Sequence, residues 1–247
     1  MRDIEYVELA EALTAPRSPS ICCRRASRAE KLMTPPAKDE YFPAAQIAFW
    51  YFRLNGFLGV ENFVLHPEDR KQSQKTDADF CGVRFQHRSE LGMEDDAPFK
   101  ESRRSPSYVI AEITRGICKL NGPWIDPNKE NIQYVLRAIG AFPSDDNDAI
   151  AQSLYKHCTY PKPGAGQEFI FRLIAVGKTV DNALQKRFPH LLQIELDKML
   201  GFIHQRFDTY RSQKANHSQW DQFGQTLWNE TEKHDRNSFV QTMIKRI

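Results

Sequence analysis

The residues best suited to chemistry lie in two β-favouring runs, Thr76-Asp-Ala-Asp-Phe-Cys-Gly-Val-Arg-Phe85 and Tyr108-Val-Ile-Ala-Glu-Ile-Thr-Arg-Gly116. Each carries a carboxylate where a strand ordinarily carries Val or Ile. Asp79 opens the apolar run that ends at Phe85, and Glu112 interrupts the run from Tyr108 to Ile113. A lone acid is costly to bury unless a cation or a hydrogen-bond donor meets it. Two such acids on neighbouring strands suggest a shared divalent metal. The plainer alternatives are that Asp77 and Asp79 end a loop and cap a strand, and that Glu112 pairs with Lys119 or Arg137 in a structural salt bridge. Because side chains alternate along a strand, Glu112 and Thr114 share one face while Ile113 and Arg115 share the other.

Such acids need strands to carry them and helices to cover those strands. From Pro43 the residues Ile47, Phe49, Trp50, Tyr51 and Leu54 predict a mostly buried helix that stops at Asn55-Gly56. Val60 to His66 predicts a first strand ended by Pro67, and the two acid-bearing runs predict the second and third. Residues 86 to 107 are charged and lack a clear period, so they form a long excursion between strands, of a length that is often functional. Asp126 or Asn128 caps a following helix with the stripe Ile132, Val135, Leu136 and Ile139, left through Gly140. A short helix then runs through Ile150 to Tyr155, and Glu168 to Gly177 is the clearest strand. Further on, Leu192, Leu196, Met199, Ile203, Phe207 and Tyr210 fall at steps of 4, 3, 4, 4 and 3, one face of a long helix. Trp220, Phe223 and Leu227 form a second, shorter stripe.

Composition narrows the class. The 247 residues are enough to bury a core without disulfides or oligomerisation, and 40% hydrophobic with 27% charged content is ordinary for a soluble globular chain. No uncharged apolar run approaches the roughly 20 residues needed to cross a bilayer, and the acid-rich start at Asp3, Glu5, Glu8 and Glu11 does not read as a targeting peptide. The expectation is a cytoplasmic protein. Five cysteines without a C-x-x-C pair indicate neither a disulfide framework nor a zinc site, and the histidines lack metal-ligand spacing. Charge is uneven: residues 17 to 38 hold six Lys/Arg against one acid, and residues 178 to 247 hold eleven against eight. Basic flanks suit a phosphate-bearing partner. No P-loop, G-x-G-x-x-G or G-x-S-x-G occurs, which removes the common nucleotide and α/β-hydrolase readings.

A buried helix, three strands with an acid on the second and another on the third, then a helix and a strand, resembles the core of the PD-(D/E)XK nuclease superfamily over about residues 41–177. The resemblance implies an α/β, restriction-endonuclease-like core, preceded by a flexible segment 1–40 and followed by a helical extension 178–247 packed on it. It implies that Asp79 and Glu112 hold Mg²⁺ or Mn²⁺, and that Glu61 or Glu40 adds the further acid that some members carry. It also implies a nucleic-acid substrate, DNA more readily than RNA, and leaves room for a homodimer or a protein partner. The chain departs from the pattern at Glu112-Ile113-Thr114, where Thr114 replaces the family's Lys. Candidates for the missing basic or amide group are Lys119, Lys75, Gln133 and Arg137, which also offer contacts to the nucleic-acid backbone. The alternative is a module of this fold that has lost catalysis and binds nucleic acid or protein without cutting.

Overall fold

Helix α1 (Ala44–Leu54) is apolar almost all round its circumference, with Gln46 and Arg53 its main polar side chains, so it has to be covered on nearly every side. It is: Ile47, Ala48, Trp50, Tyr51 and Phe52 are all buried. The C-terminal stop is built from Asn55, whose side chain donates to Tyr51 O at 3.0 Å, and from Gly56 at φ 83°. This computed structural model describes residues 43–65, 76–88, 94–161, 168–219 and 221–247, excluding the side chains of 76 and 101–104. Segment 1–40, Glu40, His66, Lys75 and Trp220 lie outside the described residues.

After α1 come strands β1 (Leu58–Leu65) and β2 (Thr76–Arg84), a 3₁₀ segment over Ala97–Arg104, and strand β3 (Ser107–Ile113). Helices α2 (Gly122–Ile125), α3 (Asn131–Ile139) and α4 (Ser144–His157) follow, then strands β4 (Thr159–Tyr160) and β5 (Ile170–Gly177). The remainder is α5 (Asn182–Arg187), β6 (Leu192–Glu195), α6 (Leu196–Thr209), α7 (Arg211–Lys214), α8 (Gln222–Lys233) and α9 (Arg236–Ile244).

The result is an α/β fold around one mixed six-stranded sheet. β1, β2 and β3 form an antiparallel meander, β5 lies parallel to β3, and β4 and β6 pair with opposite halves of β5, antiparallel and parallel respectively. Alternation in the central strands feeds two cores. Val109, Ala111, Ile174 and Val176 meet α1, α6, α8 and α9 on one face, while Ile110, Leu173 and Ala175 meet α3 and α4 on the other. Glu112, in phase with Ile110, belongs to the α3–α4 face.

The helix expected from Leu192 begins at Leu196, and residues 192–195 instead extend the sheet beside Ile174–Gly177. A four-residue strand is too short to show alternation, and Leu192 fell by chance on the phase of the helical stripe. From there the stripe holds, with Leu196, Met199, Ile203 and Phe207 buried against α1. Among the described residues no helix is long and apolar enough to cross a membrane.

Candidate functional site

The two strand acids meet where the sheet opens. Pairing of β2 with β3 ends at Phe80–Ala111, so Asp79 and Glu112, one position further along, are neighbours beyond the last ladder pair. Asp79 fills the opening with its own side chain: its Oδ2 accepts the Ile113 backbone N–H at 2.6 Å. The distortion continues into β1, where Asn62, level with Asp79, sits at φ 50°. Alternation slips on both strands in consequence. Ala78 and Cys81, three residues apart, lie in the same core, and Phe63 packs there too. A non-glycine residue in the left-handed region within a strand is a strained conformation of the sort that collects at working sites.

Glu112 is 6% exposed, and its two oxygens are held by the segment that follows its own strand. Asn121 Nδ2 donates to Oε1, and Trp124 Nε1 donates to Oε2 at 2.6 Å. That segment is fixed in turn against the end of β5: Lys178 N donates to Gly116 O at 2.6 Å and Cys118 N to Thr179 O at 2.8 Å. Contact is so close that a Cβ on Gly177 would stand 2.6 Å from Gly116 O, which makes glycine a requirement there.

Burial, and after it the charge of Asp79, pushes the Glu112 carboxyl up to about 7; Asp77 adds to the rise, while the Trp124 hydrogen bond and Lys119 oppose it. Asp79 is also raised, first by burial, against the opposing pull of the Ile113 N–H and Lys119. Like charges converging in a partly desolvated spot produce this pattern. Among the described residues neither acid forms an ion pair, and Asp79 Oδ1 accepts no hydrogen bond.

Thr114 is half-buried just past the end of β3, and its hydroxyl lies 2.9 Å from Ile117 O and 3.2 Å from Val176 O, positioned to donate to these carbonyls and tie the chain as it leaves the strand. Lys119 is exposed and its charge acts on both carboxylates. Gln133 and Arg137 lie on α3, where the Arg137 guanidinium stacks 4.5 Å above the Tyr134 ring. Glu61 faces the other core: it accepts from Gln46 at 3.0 Å and takes no place beside Asp79. Among the described residues no group of three or more His, Cys, Asp or Glu side chains could hold a metal, so a cation here would rest on two carboxylates.

No family model, curated protein or solved structure matches the chain. The reading of the site therefore rests on its own geometry. Asn121 and Trp124 were not legible as its partners. Asn121 sits in a turn signal, Asn-Gly-Pro, that explains itself without a site, and Trp124 reads as a packing residue or a base-stacking one. The available clue was chemical: a buried indole N–H needs an acceptor, and Glu112 is the nearest carboxylate in sequence on its N-terminal side.

Proposed function

We propose that the chain is a Mg²⁺- or Mn²⁺-dependent nuclease with a restriction-endonuclease-like core, hydrolysing phosphodiester bonds of nucleic acid, DNA more readily than RNA. One observation carries the reading: two carboxylates on adjacent central strands, unpaired with any described cation, converge where the β2–β3 ladder opens. The order α1, β1, β2, β3, α3, β5, with the acids on the second and third strands, supports it.

The donor set fits the ion, since Mg²⁺ is commonly held by one or two carboxylates while waters and substrate phosphates complete its octahedron. When bound, such an ion supplies Lewis acidity and a lowered pKa for a coordinated water. Asp79 offers Oδ1, its other oxygen being engaged with Ile113. Glu112 is held by two neutral donors, so no resident positive charge stands in a cation's place there. Lys119 supplies the positive charge absent at Thr114, and Lys75, Gln133 and Arg137 are the proposed contacts to the nucleic-acid backbone. Thr114 moves no proton to or from substrate, its hydroxyl being committed to backbone carbonyls.

One feature favours a second reading, a binding module without catalysis: position 114 lacks an amine, and its hydroxyl is already occupied. Incubating the protein with supercoiled plasmid and with structured RNA, in Mg²⁺, Mn²⁺ or chelator, separates the two. Metal-dependent cleavage that disappears in both Asp79→Asn and Glu112→Gln is the expected result. Cleavage surviving both substitutions rejects the site. Retention of nucleic acid without cleavage in either metal selects the second reading.

A further inference from the structure

We propose that Asn121 and Trp124 are positioning residues for Glu112, neutral anchors that fix its carboxylate for a cation without neutralising it. The inference rests on the metal-dependent reading of the site and assigns its specificity for a cation to the segment after β3.

The hydrogen bonds themselves are the first ground. A buried glutamate has several rotatable bonds and would ordinarily be fixed by Lys or Arg, whose positive charge compensates its burial. Here both oxygens are instead taken by an amide N–H and an indole N–H, donors that orient without adding charge. The pair Asp79 and Glu112 thus meets no cationic side chain in direct contact among the described residues, which leaves its compensation to something from outside. An ammonium in the same place would compete with the cation.

The second ground is where Asn121 stands. It is exposed at the N-cap position of α2, yet its side-chain amide is turned to the buried Glu112 carboxylate. Its backbone carbonyl accepts the Trp124 backbone N–H at 3.0 Å, which ties the two anchors to each other. Trp124 is buried at 2% exposure, held by the core around Ile132 and Leu120, so its N–H is aimed by packing. One anchor is rigid and the other sits at the rim. Partners of this kind behind a metal-holding side chain typically change metal affinity about 10–100-fold when removed.

The test uses the full chain labelled with ¹⁵N, following the indole N–H resonances of its four tryptophans, with Trp124→Phe assigning the relevant one. Without metal, Glu112→Gln should move the Trp124 resonance and leave the other indoles in place. Mg²⁺ added to the wild type should move the same resonance, and should cease to do so in Asp79→Asn. The apparent Mg²⁺ dissociation constant, read from the rise in melting temperature, should increase about 10-fold or more in Trp124→Phe and in Asn121→Ala. Asn121→Ala, at an exposed position, keeps the question answerable if Trp124→Phe fails to fold. A Trp124 resonance indifferent to Glu112→Gln overturns the anchoring. Unchanged Mg²⁺ affinity in both variants overturns it as well. A resonance that responds to Glu112→Gln while Mg²⁺ leaves the wild type untouched overturns the metal reading, and the inference with it, and marks the hydrogen bonds as purely structural.

Discussion

Asp95 and Glu112 are both buried carboxylates, 4% and 6% exposed, and they are satisfied in opposite ways. Asp95 lies in the excursion between β2 and β3, against Arg84 Nη1 at 3.2 Å and Arg88 Nη1 at 2.8 Å. Arg84 continues to the carbonyls of Phe99 and Asn55, and the next residue, Asp96, accepts from Tyr51 OH at 2.6 Å. Asp95 there meets opposite charge on two sides, and the network clamps the excursion onto the end of α1. Glu112 meets two neutral donors and two further acids. A buried acid matched by arginines needs nothing further. One matched by neutral donors beside a second acid holds uncompensated charge, and only an arriving cation or proton removes it.

The contrast breaks most visibly at Arg84. Arg84→Ala takes one arginine from Asp95 and removes donors from two buried carbonyls, and opening a buried pair typically costs about 3–5 kcal/mol. Urea denaturation should show a loss of that order. A loss below about 1 kcal/mol would mean that Asp95 is held well enough without Arg84 and that the network is no clamp.

At Glu112 the expected sign is reversed. Its carboxyl titrates at about 7 when folded and near the ordinary 4.5 when unfolded, so between those values the native state binds the proton more tightly. The Glu112 contribution to stability should therefore fall as pH rises from about 4.5 to about 7 and stay flat above, a total on the order of 3 kcal/mol. Glu112→Gln abolishes this slope. The Asn121 amide can turn to accept from the new NH₂ group, so both neighbours stay satisfied. In chelator the variant should thus match the wild type at about pH 5 and exceed it by about 2–3 kcal/mol at about pH 8. A difference independent of pH would show that Asp79, Asp77 and burial do not raise Glu112.

Thr114 gives a smaller effect. Thr114→Val removes a hydroxyl that ties the strand end to Val176 and Ile117, worth about 1 kcal/mol in stability. Cleavage per folded molecule should be unchanged. A rate falling about tenfold or more would return Thr114 to the chemistry.

How much of this could be read from the chain depends on the range of the signal. Strands β2 and β3 were legible because their apolar runs are long, and Asp79 and Glu112 were legible because they violate those runs. α1 showed itself by Trp50, Tyr51 and Phe52, and the exit of α3 by Gly140, which adopts φ 64°. Helix α9 was missed, although Asp235 caps it through the N–H groups of Asn237 and Ser238, since Phe239 and Met243 alone make a thin stripe. β6 was missed because it forms only by pairing with β5. The slip at Asn62 and the Asn121–Glu112–Trp124 anchoring were out of reach for a related reason. Each is a contact between segments, and no local propensity encodes it.

Lys119 provides the weakest and most discriminating break. It is exposed, so solvent and salt screen it, yet its charge favours the ionised form of both Asp79 and Glu112. Were it the cation that completes this site as Arg84 completes Asp95, Lys119→Met would cost several kcal/mol. An exposed charge acting through water contributes only about 0.2–1 kcal/mol. Lys119→Met should accordingly leave the melting temperature nearly unchanged while moving the Glu112-dependent step in the stability profile to higher pH, by roughly a few tenths of a unit. Adding salt to the wild type should shrink that displacement, whereas a directly contacting ammonium would resist screening. If the ammonium also acts on the phosphate, the variant should lose cleavage rate at saturating Mg²⁺, with apparent Mg²⁺ affinity falling little. An unshifted step would place Lys119 outside the electrostatics of the pair, and the positive charge missing at Thr114 would have to come from another residue.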